Sequence, residues 1–133
     1  MKKAFIALML CISLLLLCAC GDVSDVKVLP YESEMYTDAE IEEAIDVTKD
    51  YFKKHFDGCK LLEITYAGDE RTTAEKEFAS RHNADELIVL LSSYYVSPTG
   101  GDGSLNQDST YDGWCWILVR NNGGKWRHVD HGY

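Results

Sequence analysis

The pattern of apolar positions predicts one long helix followed by several strands. Apolar or small side chains recur at steps of three and four residues in one segment: Ile41, Ala44, Ile45, Thr48, Phe52 and Phe56. This spacing predicts a helix over residues 38–57 with a single apolar face. Thr37 and Glu40 have the spacing of a capping box at its start, and Gly58 is a suitable stop.

Two strand patterns follow this helix. Leu62, Ile64 and Tyr66 alternate with polar residues, which predicts a strand over 60–67 with one wet face. Residues 87–96 include apolar residues at both odd and even positions, which is the pattern of a strand covered on both faces. Between them, Thr72 and Glu75 suggest a second capping box and a short helix through about Arg81. Residues 97–113 are rich in Gly, Asp, Ser and Asn and are predicted to form a long loop.

The last segment predicts a β-hairpin, with strands over 114–120 and 125–131 around a turn at 121–124. If Asn122 and Gly123 form a two-residue turn, Ile117 pairs with His128 and Cys115 pairs with Asp130. His128 and Asp130 then share a face, and His131 lies on the other one with Trp114 and Trp116. A three-residue loop would exchange the faces, because one step of register does so.

The N-terminus has the pattern of an export signal. Lys2 and Lys3 precede an apolar run over residues 4–17, and the run ends in Leu17-Cys18-Ala19-Cys20. This stretch resembles a bacterial lipoprotein signal, in which a leucine and two small residues precede an invariant cysteine. The resemblance implies cleavage before Cys20 and palmitate-type acylation of its sulfur. A transmembrane anchor is the alternative, but the apolar run is shorter than the roughly 20 residues that span a bilayer.

These patterns divide the chain into a signal peptide (1–19), a polar tether that lifts the domain off the membrane (20–36) and a single α+β domain (37–133). The implied location is the extracytoplasmic face of the cell membrane, with Cys20 as the lipidation site. The formal net charge is −9, and loss of Lys2 and Lys3 makes the mature chain more acidic. An acidic surface repels phosphate backbones, so nucleic acid is not an expected partner.

Of the five cysteines, Cys59 and Cys115 remain available in the mature domain. An exported compartment permits a disulfide between them, and two separate buried thiols are the alternative.

The order of elements resembles the cystatin-like cone shared by ketosteroid isomerase and nuclear transport factor two, in which a long helix packs on a curved antiparallel sheet. More narrowly, residues 84–93, 100–106 and 114–120 and the closing Gly132-Tyr133 are similar to small uncharacterised lipoproteins of Firmicutes. The resemblance implies the fold and the group of bacteria in which such lipoproteins occur. It provides no catalytic residues that could be transferred to this chain.

Several residues are candidates for binding a metal or another ligand, although each of them could instead have only a structural role. Asp102, Ser104, Asn106 and Asp108 space oxygen atoms as calcium loops do, without the glycine and the final glutamate of such loops. No metal or other cofactor is assigned. The candidate ligand-binding residues are Trp114, Trp116, His128 and Asp130.

The leading hypothesis is a membrane-anchored, non-enzymatic domain. It would bind a protein, peptide or envelope component through the open face of its sheet and the 97–113 loop. A third hypothesis is an accessory subunit whose acidic surface docks onto a basic partner. The competing hypothesis is a small hydrolase or isomerase that uses His128 and Asp130 as an oriented acid–base pair inside a cone-shaped pocket. No other residue is assigned a catalytic role.

Overall fold

A computed structural model describes residues 20–133, so the predicted signal peptide lies outside the described residues. The described chain is an α+β fold with one five-stranded mixed sheet and three helices. The strands are β1 Lys27–Val28, β2 Cys59–Tyr66, β3 Glu86–Val96, β4 Ser109–Arg120 and β5 Arg127–Gly132, and the helices are α1 Asp38–His55, α2 Asp69–Ala74 and α3 Glu77–Arg81.

The strands follow one another across the sheet in chain order. The pairs from β2 to β5 are antiparallel, as expected for strands joined by short connections. β1 instead runs parallel to β2, with Lys27 opposite Glu63 and Val28 opposite Ile64. The prediction of a wholly antiparallel sheet is therefore wrong at this edge.

Residues of the predicted tether form backbone hydrogen bonds with α1 and β2. The N–H of Gly21 donates to the carbonyl of Lys53 at 2.9 Å, and the N–H of Asp22 donates to the carbonyl of Cys59 at 2.8 Å. Farther along, the Leu29 N–H donates to the Ile64 carbonyl at 3.0 Å. This polar segment is held through its backbone groups, which leave no hydrophobic period in the sequence.

Helix α1 begins with the predicted capping box. The Thr37 hydroxyl accepts from the N–H of Glu40 at 3.2 Å, and the Glu40 carboxylate accepts from the N–H of Thr37 at 2.8 Å. The helix ends at His55, slightly before the predicted boundary, and Gly58 follows with a φ of 69°. The residues predicted to form its apolar face are buried: Ile41, Ala44, Ile45, Thr48 and Phe52.

The second helical region differs from its prediction. Helix α2 begins at Asp69, and Thr72 lies inside it. The Thr72 side chain is buried, and its hydroxyl accepts from the N–H of Val89 at 3.2 Å. Thr72 therefore ties the short helix to strand β3, an interaction between distant residues that local sequence does not reveal.

Two apolar layers cover the two faces of the sheet. On the α1 face the core includes Cys59, Ile88, Leu90 and Trp116, and on the α2–α3 face it includes Leu87, Val89, Cys115 and Val119. Cys59 and Cys115 are both free thiols, and each belongs to a different layer. Of the two alternatives, separate buried thiols are confirmed, because the sheet itself lies between the sulfur atoms.

The C-terminal hairpin forms with a different register from the predicted one. β4 begins at Ser109, so the preceding loop covers 97–108, and residues 121–126 connect β4 to β5. Leu118 pairs with His128 and Ile117 pairs with Asp130, so Val129 is an extra residue in β5. A bulge of this kind reverses the side-chain parity beyond it.

Among residues 20–133, no helix combines the length and the apolar character required to cross a bilayer.

Candidate functional site

A cavity of about 420 Å³ lies at the C-terminal end of α1. Its walls come from the last turn of α1, the turn into β2, the 97–108 loop, and strands β4 and β5. The lining residues are Tyr51, His55, Phe56, Asp57, Cys59, Gly101, Asp102, Ser104, Leu105, Trp114 and His131.

Two glycines bring the loop onto the end of the helix. A Cβ atom at Gly100 would lie 2.3 Å from the carbonyl oxygen of Gly58, so only glycine permits this approach. The contact is reinforced by two hydrogen bonds, from Gly101 N–H to the Asp57 carbonyl at 2.8 Å and from Ser97 N–H to the Gly58 carbonyl at 3.0 Å. The cavity wall is therefore fixed at the base of the loop.

Aromatic rings form part of the cavity wall, and further rings pack behind them. Phe56 meets Trp114 edge to face at 6.5 Å between ring centroids, and Trp114 meets Tyr94 in the same way at 5.3 Å. Both Trp114 Nε1 and the Tyr94 hydroxyl are buried without a hydrogen-bond partner among the described residues. Burial also raises the pKa of Tyr94, so its hydroxyl remains a donor. Leaving a buried donor without an acceptor is costly.

A pair of histidines lies beside these rings. His131 Nδ1 and His128 Nε2 are 3.1 Å apart, and the His128 ring stacks on Tyr51 with centroids 3.8 Å apart. Burial lowers the pKa of His128 to about 4, with a further contribution from His131, and burial also lowers the pKa of His131. Both imidazoles are therefore neutral at pH 7, and one donates a hydrogen bond to the other.

The predicted pairing of His128 with Asp130 is wrong. Because Val129 is a bulge, His128 shares the α1 face with His131, and the exposed Asp130 lies toward the other face. There Asp130 lines a separate groove with Arg71 and Cys115, and its carboxylate accepts from the N–H of His131 at 2.9 Å. The oriented acid–base pair expected from simple alternation therefore does not exist.

The two predicted tryptophans have different environments. Trp114 lines the cavity and is 9% exposed, whereas Trp116 is fully buried. The Trp116 indole N–H donates to the Ser92 hydroxyl at 2.7 Å. Of the four candidate ligand-binding residues, only Trp114 lines the cavity, and Trp116 belongs to the core beneath it.

Two carboxylates contribute negative charge to the cavity, Asp57 and Asp102. Hydrogen bonds from the Ser104 side chain and backbone hold the pKa of Asp102 below its ordinary value. Asp108, the other carboxylate of the proposed calcium series, accepts instead from the Tyr95 hydroxyl at 2.6 Å. Within residues 20–133, no three His, Cys, Asp or Glu side chains are grouped as metal ligands.

The sequence interpretation missed the helical side of the site. Tyr51 and His55 are four residues apart on α1, and their rings lie 4.2 Å apart between centroids. The available signal was an aromatic and an imidazole on the last turn of a helix that ends at Gly58. This signal is weak, because such residues are also common on solvated helix flanks.

Comparisons with known proteins found no matching family model, no matching curated protein and no matching solved structure.

The histidine pair predicts acid sensitivity. The pKa of His128 is lower in the folded chain than its ordinary 6.5, so the unfolded chain binds the proton more readily. His128 therefore does not lower the free energy of unfolding above about pH 6.5, and it lowers that free energy increasingly as the pH falls toward 4. We expect a loss of about 2 kcal/mol over this range after allowance for solvent screening. Urea unfolding at a series of pH values measures it.

His128→Phe keeps a ring on Tyr51 and removes the titration, so its stability should change less between pH 6.5 and 4. His82→Phe, outside the pair, is the control for replacing a histidine with phenylalanine. An unchanged slope in His128→Phe would contradict the assignment.

Proposed function

We propose that this chain is a membrane-anchored extracytoplasmic lipoprotein whose folded domain binds a small ligand without catalysing a reaction. The N-terminal Leu17-Cys18-Ala19-Cys20 pattern supports the lipid anchor. The aromatic cavity at the end of α1 supports ligand binding, and the 97–108 loop contributes part of its wall.

We also propose that the domain is a cystatin-like cone. Support comes from α1, which lies across one face of the sheet, and from irregularities of register in β2, β3 and the β4–β5 pair. Bulges bend strands and increase their twist, as the curvature of a cone requires. The cavity would then occupy the wide end of this cone.

The chemistry of the cavity favours an organic cation with an apolar part. Aromatic faces and carboxylates together attract a cation that has lost part of its hydration shell. Tyr51, Phe56 and Trp114 supply the rings, and Asp57 and Asp102 supply negative charge. The acidic composition of the chain adds a long-range attraction for a positive ligand.

The single observation that carries this proposal is the lining of one cavity by three aromatic side chains, Tyr51, Phe56 and Trp114, together with two carboxylates, Asp57 and Asp102. Aromatic rings and carboxylates in one recess favour a positively charged ligand over a neutral or negatively charged one.

Calorimetric titration with benzyltrimethylammonium tests the binding site, with benzyl alcohol as the uncharged control. We expect saturable binding of the cation and at least fivefold weaker binding of the alcohol, because a desolvated cation–π contact contributes about 1 kcal/mol or more. Trp114→Leu should weaken binding of the cation by a similar factor, and Trp126→Leu, which alters a ring far from the cavity, should not. Equal affinity for the cation and the alcohol would contradict the proposal.

The lipid anchor has its own test. Cells expressing the full chain and fed labelled palmitate should incorporate label into this protein and retain it in the membrane fraction. Cys20→Ser should remove both the label and the retention, because no other cysteine is expected to carry lipid. Wild-type protein that is unlabelled and freely soluble would contradict the anchor.

An acid–base enzyme remains a second candidate, since a neutral His131 lies on the cavity wall within hydrogen-bond distance of His128. Its support is weaker than that for binding, because Asp130 lies away from the imidazoles and orients neither of them through its side chain.

A further inference from the structure

The residue that follows the proposed lipidation site is fixed to the body of the domain. Gly21 is buried, and a Cβ atom there would lie 2.5 Å from the Phe52 carbonyl oxygen and 3.0 Å from that of Phe56. Its N–H satisfies the Lys53 carbonyl, one of the last carbonyls of α1. Cys20 therefore has no flexible residues between itself and the end of α1.

The cavity lies at this same end of α1. The carbonyl oxygen of Phe56 meets Gly21, whereas its side chain helps to line the cavity. Cys59 shows the same relation, because its carbonyl accepts from Asp22 and it also lines the cavity. The turn that contains Phe56 and Cys59 therefore contacts the residues next to Cys20 on one side and lines the cavity on the other.

The opposite end of α1 is far from the attachment point. Trp126 donates its indole N–H to the Glu40 carbonyl in the first turn of α1. Helix α1 has 18 residues and is therefore about 27 Å long. A membrane that holds Cys20 would be close to the cavity and remote from Trp126.

We infer that the lipid on Cys20 holds the cavity end of the domain directly on the lipid headgroups, so that the cavity meets its ligand at the membrane surface. This inference rests on the proposed lipid anchor and deepens the proposed binding function. It identifies the ligand class as an amphiphile that presents a cationic headgroup. Exposed Lys53 and Lys54 lie in the last turn of α1, at the same end of the helix, and suit the phosphates of neighbouring lipids.

Fluorescence quenching from the headgroup region tests the orientation. The lipidated protein is reconstituted into phosphatidylcholine vesicles with a fluorophore on Ser104→Cys beside the cavity or on Lys125→Cys beside Trp126. Both positions are exposed, so the substitutions do not disturb the core. With headgroup-spin-labelled lipid, we expect at least twofold stronger quenching at position 104 than at position 125.

A spacer variant is the matched control. A flexible Gly-Ser insertion of about fifteen residues between Cys20 and Gly21 retains the lipid and frees the domain, so the two positions should be quenched equally. Equal quenching in the lipidated protein without the insertion would overturn the inference and leave the lipid anchor intact. A protein that carries no lipid would overturn both.

Competition tests the ligand class. Vesicles of an uncharged glycolipid that contain a long-chain trimethylammonium amphiphile should displace benzyltrimethylammonium from the lipidated protein, and vesicles of the uncharged glycolipid alone should displace less at equal lipid concentration. Equal displacement by the two kinds of vesicle would overturn the assignment of a cationic amphiphile while leaving binding of the soluble cation in place.

Discussion

Replacing Trp116 with alanine should lower the free energy of unfolding by about 4 kcal/mol. The side chain is completely buried, and its ring packs against Phe52 and Phe56 of the helical region. Its removal leaves a large hole and also deprives the Ser92 hydroxyl of its donor. Urea or thermal unfolding of purified protein at neutral pH measures the change.

Two variants separate the core role of Trp116 from a role in binding. Trp116→Phe fills most of the space and should cost about half as much. Ser92→Ala keeps the ring and removes the acceptor, which should cost about 1–2 kcal/mol for an unpaired buried N–H. If Trp116→Ala were as stable as wild type, the ring would not be needed in the core. The sequence-based prediction that Trp116 binds a ligand would then be favoured again.

Replacing Arg120 with methionine should lower the free energy of unfolding by about 3 kcal/mol. The guanidinium is 4% exposed and bonds two carboxylates, Glu86 at 2.8 Å and Glu40 at 2.7 Å. It also lies over the Trp126 ring, 4.3 Å from the centroid. Because Glu40 is in the first turn of α1 and Glu86 is at the start of β3, one cation joins the helix to two strands.

The Arg120 prediction depends on planar geometry as well as charge. Arg120→Lys keeps the charge but cannot form the same forked contacts, so it should recover only part of the loss. Arg120 also holds the pKa of Glu40 and of Glu86 below the ordinary glutamate value. This stabilisation is present above that value and is lost as the pH falls, so the difference between wild type and Arg120→Met should shrink in acid. A difference independent of pH would contradict the ion-pair explanation.

Features set by neighbouring residues could be predicted from the sequence. The α1 capping box needs only Thr37 and Glu40, and the apolar face of the helix follows from its period. Strands β2 and β3 were predicted within a residue or so, since their composition suits a covered sheet. In each case the determining interactions lie within the element or come from simple burial.

Features set by distant residues could not be predicted in this way. The bulge at Val129 changed the facing of every side chain after it, and so His131, not Asp130, became the partner of His128. The cavity depends on the approach of Gly58 to Gly100, which are 42 positions apart in the chain numbering. Trp114 and Trp116 have the same parity, and only the position of α1 over the sheet determines which ring reaches the cavity.

The separation of the two thiols by the sheet has a consequence for how the domain responds to oxidants. Burial raises the pKa of Cys59 to about 11 and also raises that of Cys115, so little thiolate is present at neutral pH. Thiolate is the form that oxidants and disulfide exchange attack. No disulfide between Cys59 and Cys115 contributes to the stability of the domain. We therefore expect the same fold in oxidising and in reducing surroundings.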